Sequence, residues 1–232
     1  MKARLLLLLM LAIGITGFNQ AAFARASTTN DGTDVRKQRK SFVLVERDGV
    51  PRTQEHVGPH YDVGTATTAL IAALKAKNLR DVRVCVDAGA KWSQVFENGK
   101  LSIHYAAEWG SKDALDLLLS KVPELEMDHF VNARTAAGET PLMIAAQHGH
   151  LLALRELHAS GALVNAVDVR SETALMKAAR NGHAEVASAL MLNKANLIVR
   201  NLAGETALSL AQKNGHMKVT DVLSRANVKT GS

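Results

Sequence analysis

The stretch Gly138-Glu139-Thr140-Pro141-Leu142-Met143, followed by Ala145-Ala146 and Gly149-His150, decides the fold because it returns. Thirty-three residues on stand Glu172-Thr173-Ala174-Leu175-Met176, Ala178-Ala179 and Gly182-His183. Thirty-three further on stand Gly204-Glu205-Thr206-Ala207-Leu208, Ala211 and Gly215-His216. Three in-phase copies at one period mark an array of small units, each able to bury its apolar side only against its neighbours.

The residue types predict the shape of one unit. Thr140, Thr173 and Thr206 stand where a hydroxyl can cap the first N–H groups of a helix. Pro141 suits the first helical position, where no N–H is needed. Gly138 and Gly204 precede the cap in a turn that calls for positive φ, and Ser171 in the middle copy predicts a slightly different turn there. The alanine pair keeps this first helix slim, so that neighbours approach closely. Gly149, Gly182 and Gly215 end it in a left-handed cap. A second helix follows, with Leu154 and Leu157, Val186 and Leu190, and Val219, Val222 and Leu223 spaced to bury one face.

This pattern resembles the ankyrin repeat, whose units read G-x-T-P-L-H-x-A-A-x-x-G-H. The match is specific over 134–226 and continues backwards with less fidelity. Gly99, Ala106-Ala107 and Gly110 place a unit at 96–133, with Leu101-Ser102 in place of Thr-Pro. Thr68-Ala69-Leu70 and Ala73 place a first unit at 63–95, closed by Asp87-Ala88-Gly89-Ala90. Only His104 keeps the family's histidine after leucine; Met143, Met176 and Ser209 replace it elsewhere. The expected fold is all-α: a solenoid of about five helix–turn–helix repeats with β-turn tips, at 63–95, 96–133, 134–167, 168–200 and 201–227, followed by a tail at 228–232. The second repeat is six residues too long, and the excess falls around Pro123 to Phe130. Insertions in such arrays lie in surface loops, so this one either joins the binding side or is a tolerated loop with Phe130 tucked back.

Before the array, Lys2 and Arg4 precede an apolar run from Leu5 to Phe18, and Ala24-Arg25-Ala26 gives the small-x-small pattern of a signal-peptidase site. Residues 1–26 thus read as a cleaved export signal whose apolar run is short for a spanning helix, with an uncleaved anchor as the alternative. Residues 27–62 form a flexible N-terminal segment in which Ser41 to Val45, with the turn Arg47-Asp48-Gly49, predicts a short capping strand. Removing the signal takes away three cations and no acid, so the formal charge of +6 falls to +3. With the signs interspersed, that is a poor case for nucleic acid. The expected product is periplasmic or secreted, monomeric and off the membrane after cleavage.

Cys85, the only cysteine, excludes an internal disulfide. It falls in register with Leu118, Leu157, Leu190 and Leu223, which predicts a core position rather than a nucleophile. His150, His183 and His216 share one repeat position, where the resemblance implies that they brace the turn. His148 and His104, and the pair His56 and His60, leave a haem or metal carrier open, but no zinc spacing is present and no cofactor is expected. No nucleophile elbow or phosphate loop occurs, so the chain is expected not to be an enzyme.

The resemblance implies a protein partner on a concave face of first helices and turn tips. By register the candidates on the helices are Glu108, Trp109, Gln147, His148, Arg180, Asn181, Lys213 and Asn214. At the turns they are Glu97, Asn98, Lys100, Ala136, Ala137, Glu139, Val169, Arg170, Glu172, Leu202, Ala203 and Glu205. Trp109 is either a partner anchor or a side chain covered by its own insertion or by the N-terminal segment. Lys177 is expected to snorkel onto this face and extend a basic stripe with Arg180 and Lys213, opposite acidic groups of the partner. Small exported proteins of this kind suggest support for an envelope enzyme such as catalase in peroxide defence, immunity against a periplasmic toxin, or a secreted host-directed effector.

Overall fold

The computed structural model describes residues 41–47, 50–56 and 63–230, with side chains described over 63–226. The proposed signal, the segment before residue 41, the turn at Asp48-Gly49 and the His60 site lie outside the described residues. The strand expected at 41–45 runs Ser41–Arg47 (β1) and pairs antiparallel with Val50–His56 (β2), in register from Ser41 opposite His56 to Arg47 opposite Val50.

The array that follows is helical. Its helix pairs are Val63–Lys75 (α1) with Leu79–Asp87 (α2), and Ser102–Trp109 (α3) with Lys112–Leu119 (α4). The next helix, Glu124–Val131 (α5), stands outside the pairing. Then come Pro141–Gln147 (α6) with Leu151–Ala159 (α7), Ala174–Arg180 (α8) with Ala184–Leu192 (α9), and Ala207–Lys213 (α10) with Met217–Thr230 (α11). First helices pack on first helices and second helices on second helices along the array. One continuous core results, in which Cys85, Leu118, Leu157, Leu190 and Leu223 all lie buried at the predicted register. Burial pushes the Cys85 thiol up to about 11, with Asp81 adding to the effect, so it is a packing group and not a thiolate.

The threonine caps form as the sequence predicts. The hydroxyls of Thr140, Thr173 and Thr206 accept from the amides of Met143, Met176 and Ser209 at 3.4, 3.3 and 3.2 Å. Thr68, aligned with them by sequence, does not cap: α1 starts at Val63, and Thr68 lies within it, donating to the Gly64 carbonyl at 3.2 Å. In α3 the uncapped Leu101 position is served by His104, whose Nδ1 accepts from the Leu101 amide at 2.9 Å.

Each turn closes on itself and then links to the next. The amides of Phe96, Thr135, Asp168 and Asn201 donate to the carbonyls of Lys100, Glu139, Glu172 and Glu205 at 2.8 to 3.0 Å. Between turns, Ala136 donates to Asn98 at 2.7 Å, Val169 to Ala137 at 3.1 Å and Leu202 to Arg170 at 3.0 Å. These bonds make the tips a continuous ribbon. The different turn expected at Ser171 is not found: Ser171 adopts φ 59°, beside φ 75° at Gly138 and 74° at Gly204. Asp168 compels it by accepting from the amides of Arg170 and Glu172 at 2.8 and 2.9 Å.

The insertion is a helix, α5, and not a surface loop. Phe130 is buried edge-on against Trp92, with ring centroids 5.1 Å apart. Asn132, at the end of α5, accepts from the Leu163 amide at 2.8 Å and donates to the Gly161 carbonyl at 3.2 Å. Asn165 repeats these bonds one unit on, with the Asn196 amide and the Lys194 carbonyl, so they belong to the repeat; of the extra residues, Asp128 lies beside Gly161 at the far end of α7, 3.4 Å from where a Cβ would stand there.

Candidate protein-binding face

The first helices and turn tips form one face, and its charges follow the period. In the fourth and fifth units a turn glutamate meets a cation eight residues on: Glu172 with Arg180, and Glu205 with Lys213 at 2.7 Å. In the second unit the signs are reversed, Lys100 meeting Glu108 at 2.8 Å. The Lys100 ammonium, by direct hydrogen bond, holds Glu108 below the usual carboxylate range. The third unit has Gln147 at the helix position, so Glu139 turns instead to Lys177 of the next unit at 2.6 Å.

That last contact overturns the reading of Lys177. It does not snorkel to solvent: it is 3% exposed and also meets Asp168 at 2.9 Å, with Glu172 at 3.9 Å. Glu172, expected at the surface, is also 3% exposed. The alanine pair beside Lys177 offers no bulk to force the long side chain outwards, and the stacked turns supply carboxylates that compensate its buried charge. Burial works against ionisation of Asp168, but the Glu172 amide and the Lys177 ammonium outweigh it and hold the carboxyl below its ordinary pKa. The expected basic stripe is therefore largely neutralised. Lys177, Arg180 and Lys213 have carboxylate partners within the chain, and Arg170 lies 3.4 Å from Glu172. Asn181 and Asn214 are spent on their own helix ends, donating to the Lys177 and Leu210 carbonyls at 2.8 and 2.7 Å.

The repeated histidines do brace the array. His150, His183 and His216 donate from Nε2 to the carbonyls of Glu108, Gln147 and Arg180 at 3.0, 3.0 and 2.9 Å, each reaching the preceding first helix. His104 is fully buried; its Nδ1 accepts from Leu101 and its Nε2 donates to the Ala133 carbonyl at 3.0 Å. Burial lowers its pKa, and neither nitrogen is free for a metal or haem iron. Among the described residues no group of three or more histidine, cysteine or carboxylate side chains could hold a metal ion.

Six of the sequence candidates, Glu97, Asn98, Lys100, Glu108, Trp109 and His148, converge on a cleft of about 590 Å³. One wall is the end of α1 with Leu74, Lys75 and Lys77. Another is the turn bearing Glu97, Asn98 and Lys100. Tyr105, Glu108 and Trp109 of α3 line it, and His148 and His150 close it from the end of α6. His148 and His150 stack at 5.9 Å. Trp109 is half-buried, and no residue of α5 is among those lining the cleft. A smaller hollow of about 270 Å³ shares Lys75, Glu97 and Tyr105 and extends to Ile71 and Phe96. The structure thus brings Glu108, Trp109 and His148 together and leaves Gln147, Arg170, Arg180, Asn181, Lys213 and Asn214 outside the cleft.

Sequence reasoning missed Lys75, Lys77 and Tyr105. The ammonium groups of Lys75 and Lys100 lie 5.4 and 5.2 Å from the centre of the Tyr105 ring. Tyr105 is register-equivalent to Ile144, Lys177 and Leu210, and an aromatic at a position otherwise varied was the available signal. Lys75 and Lys77 sit at the end of the least regular unit, where no motif marks the face.

Stacked helix pairs, linked turn ribbons and histidine braces define a solenoid that works as a protein-interaction module. The ankyrin-repeat family model matches in three overlapping copies, over 70–168, 125–201 and 142–231, and the chain belongs to the ankyrin-repeat family. No curated protein matches it. Among the described residues no helix is long and apolar enough to cross a membrane.

Proposed function

We propose that this chain is an exported, non-enzymatic protein-binding module whose partner docks on the concave side, in the cleft between α1 and α6. The observation that carries this reading is Trp109, half-buried on the lining of that cleft together with Tyr105. A large aromatic beside open space is the type of group on which binding energy concentrates. Export rests on the basic, apolar and small-residue order of 1–26. The partner class placed first is an envelope enzyme such as a catalase, a choice that rests on the resemblance to small exported ankyrin proteins.

Two measurements test it. The mature chain recovered from its own cell envelope should begin at Ser27; a chain that keeps Met1 overturns cleavage of the signal, and recovery from the cytoplasm overturns export. Affinity capture from the cell envelope should recover a protein with the wild-type chain and lose it with Trp109→Ala at unchanged helicity. Equal recovery by both overturns the cleft as the docking site.

A further inference from the structure

We propose that the cleft accepts an acidic peptide segment of the partner, with carboxylates placed against Lys75 and Lys77 and an aromatic or apolar side chain against Tyr105 and Trp109. This rests on the reading of the cleft as the docking site and adds the chemistry of its occupant.

Lys100, Lys177, Arg180 and Lys213 are each matched by a carboxylate of the chain itself. Among the described residues, no carboxylate lies within ion-pair distance of Lys75 or Lys77, and both are exposed. Lys75 faces the Tyr105 ring instead, and feels Glu108 only across the cleft, with no direct ion pair. The two free ammonium groups stand on one wall of the cleft. Two carboxylates also line it. Glu108 is engaged by Lys100, and Glu97 is exposed on the turn. Three lysines thus face two glutamates, and the unmatched positive charge is concentrated at the end of α1. Facing charges of opposite sign raise the rate of encounter and reject cationic competitors. The half-buried Trp109, with the small exposed edge of Tyr105 beside it on the lining, gives an apolar floor that selects a peptide over a simple anion.

The test is an NMR titration of the full chain with three blocked pentapeptides, each with a central phenylalanine flanked by glutamate, glutamine or lysine. The glutamate peptide is expected to bind saturably and to shift the Trp109 indole and His148 ring signals; the other two should bind at least about tenfold more weakly. Lys75→Glu combined with Lys77→Asn should weaken the glutamate peptide by about tenfold or more, whereas Lys218→Glu, an exposed charge away from the cleft, should change it by less than about twofold. Asparagine is chosen at position 77 because that residue has φ 56°, which asparagine tolerates. Equal binding of the three peptides, indifference to the lysine changes, or tighter binding of a single-stranded oligonucleotide of matched charge would each overturn the proposal. Should a captured partner be lost with Trp109→Ala yet bind the lysine variant normally, the acidic occupant falls and the docking cleft stands. If Trp109→Ala leaves the partner bound, the docking cleft itself falls.

Discussion

The His183 ring occupies the space that a side chain at Gly149 would need. A Cβ built on Gly149 would stand 2.5 Å from His183 Nδ1, and the same ring donates from Nε2 to the Gln147 carbonyl at 3.0 Å. The glycine that ends one helix and the histidine that begins the helix pair's second member in the next unit are therefore one inter-unit joint. Gly110 with His150 and Gly182 with His216 repeat it.

That joint separates two costs of replacing a glycine. Gly149→Ala meets both the left-handed backbone, φ 76°, and the His183 ring, and should lose about 2–4 kcal/mol. Gly215→Ala has φ 71° but nothing within 4 Å of the new Cβ, and should lose about 1–2 kcal/mol. Urea unfolding of both variants checks the difference, and equal losses would mean that the ring makes way freely.

Lys177 holds three carboxylates together in the interior. Lys177→Ala leaves Asp168 buried without its cation, while Glu172 keeps Arg180, and should cost about 3 kcal/mol. Lys213→Ala removes a 70% exposed partner of Glu205 and should leave the urea midpoint unchanged. A Lys177→Ala variant as stable as the parent would contradict a compensated buried charge.

Ser171 holds a left-handed backbone that a glycine adopts without strain. Ser171→Gly should raise stability by about 0.5–1 kcal/mol, the relief of strain exceeding the added freedom of the unfolded chain. Differential scanning calorimetry reads this as a higher Tm, and a lower Tm would show that the side chain contributes more than the strain removes.

Acid should weaken the array in two stages. Burial lowers the pKa of both His104 and His150 below that of an unfolded histidine. The unfolded chain therefore binds more protons, so this stability is complete above about pH 6.5 and is lost as pH falls from there through the folded values. Asp168, held low in the folded state, adds a contribution present above about pH 4 and lost as pH falls through its folded pKa. Unfolding midpoints measured by circular dichroism from pH 8 to pH 3 should fall in that order. NMR should show His104 as the neutral Nε2–H tautomer well below the pH at which an exposed histidine protonates. A His104 ring that titrates like a free histidine would refute its assignment.

Much of the fold was legible because local patterns repeat. The capping threonines bond within one unit, and the glycine helix ends and the core register of Cys85 through Leu223 recur at one spacing. The first unit was legible only in outline. Thr68 matches the cap by alignment, but the helix begins five residues earlier and makes it an interior residue. At the insertion, sequence left Phe130 undecided, since its ring partner Trp92 belongs to the preceding loop and no local pattern links the two. The site was half legible. Trp109, Glu108 and His148 were found by register, whereas Lys75 and Lys77 became visible only when the end of α1 was seen to wall the same cleft.

By itself, the sequence determined the stacking of helix pairs, because a strict period with slim helices and buried leucines has one way to exclude water: against copies of itself. Only the tertiary structure decided what became of the charges. Whether Lys177 met water or Glu139, 38 residues away, depended on which turn came to lie beside it. Period places a side chain on a face, but an ion pair between units depends on how two faces meet. That meeting left Lys75 and Lys77, rather than the later cations, as the unmatched charges on the cleft.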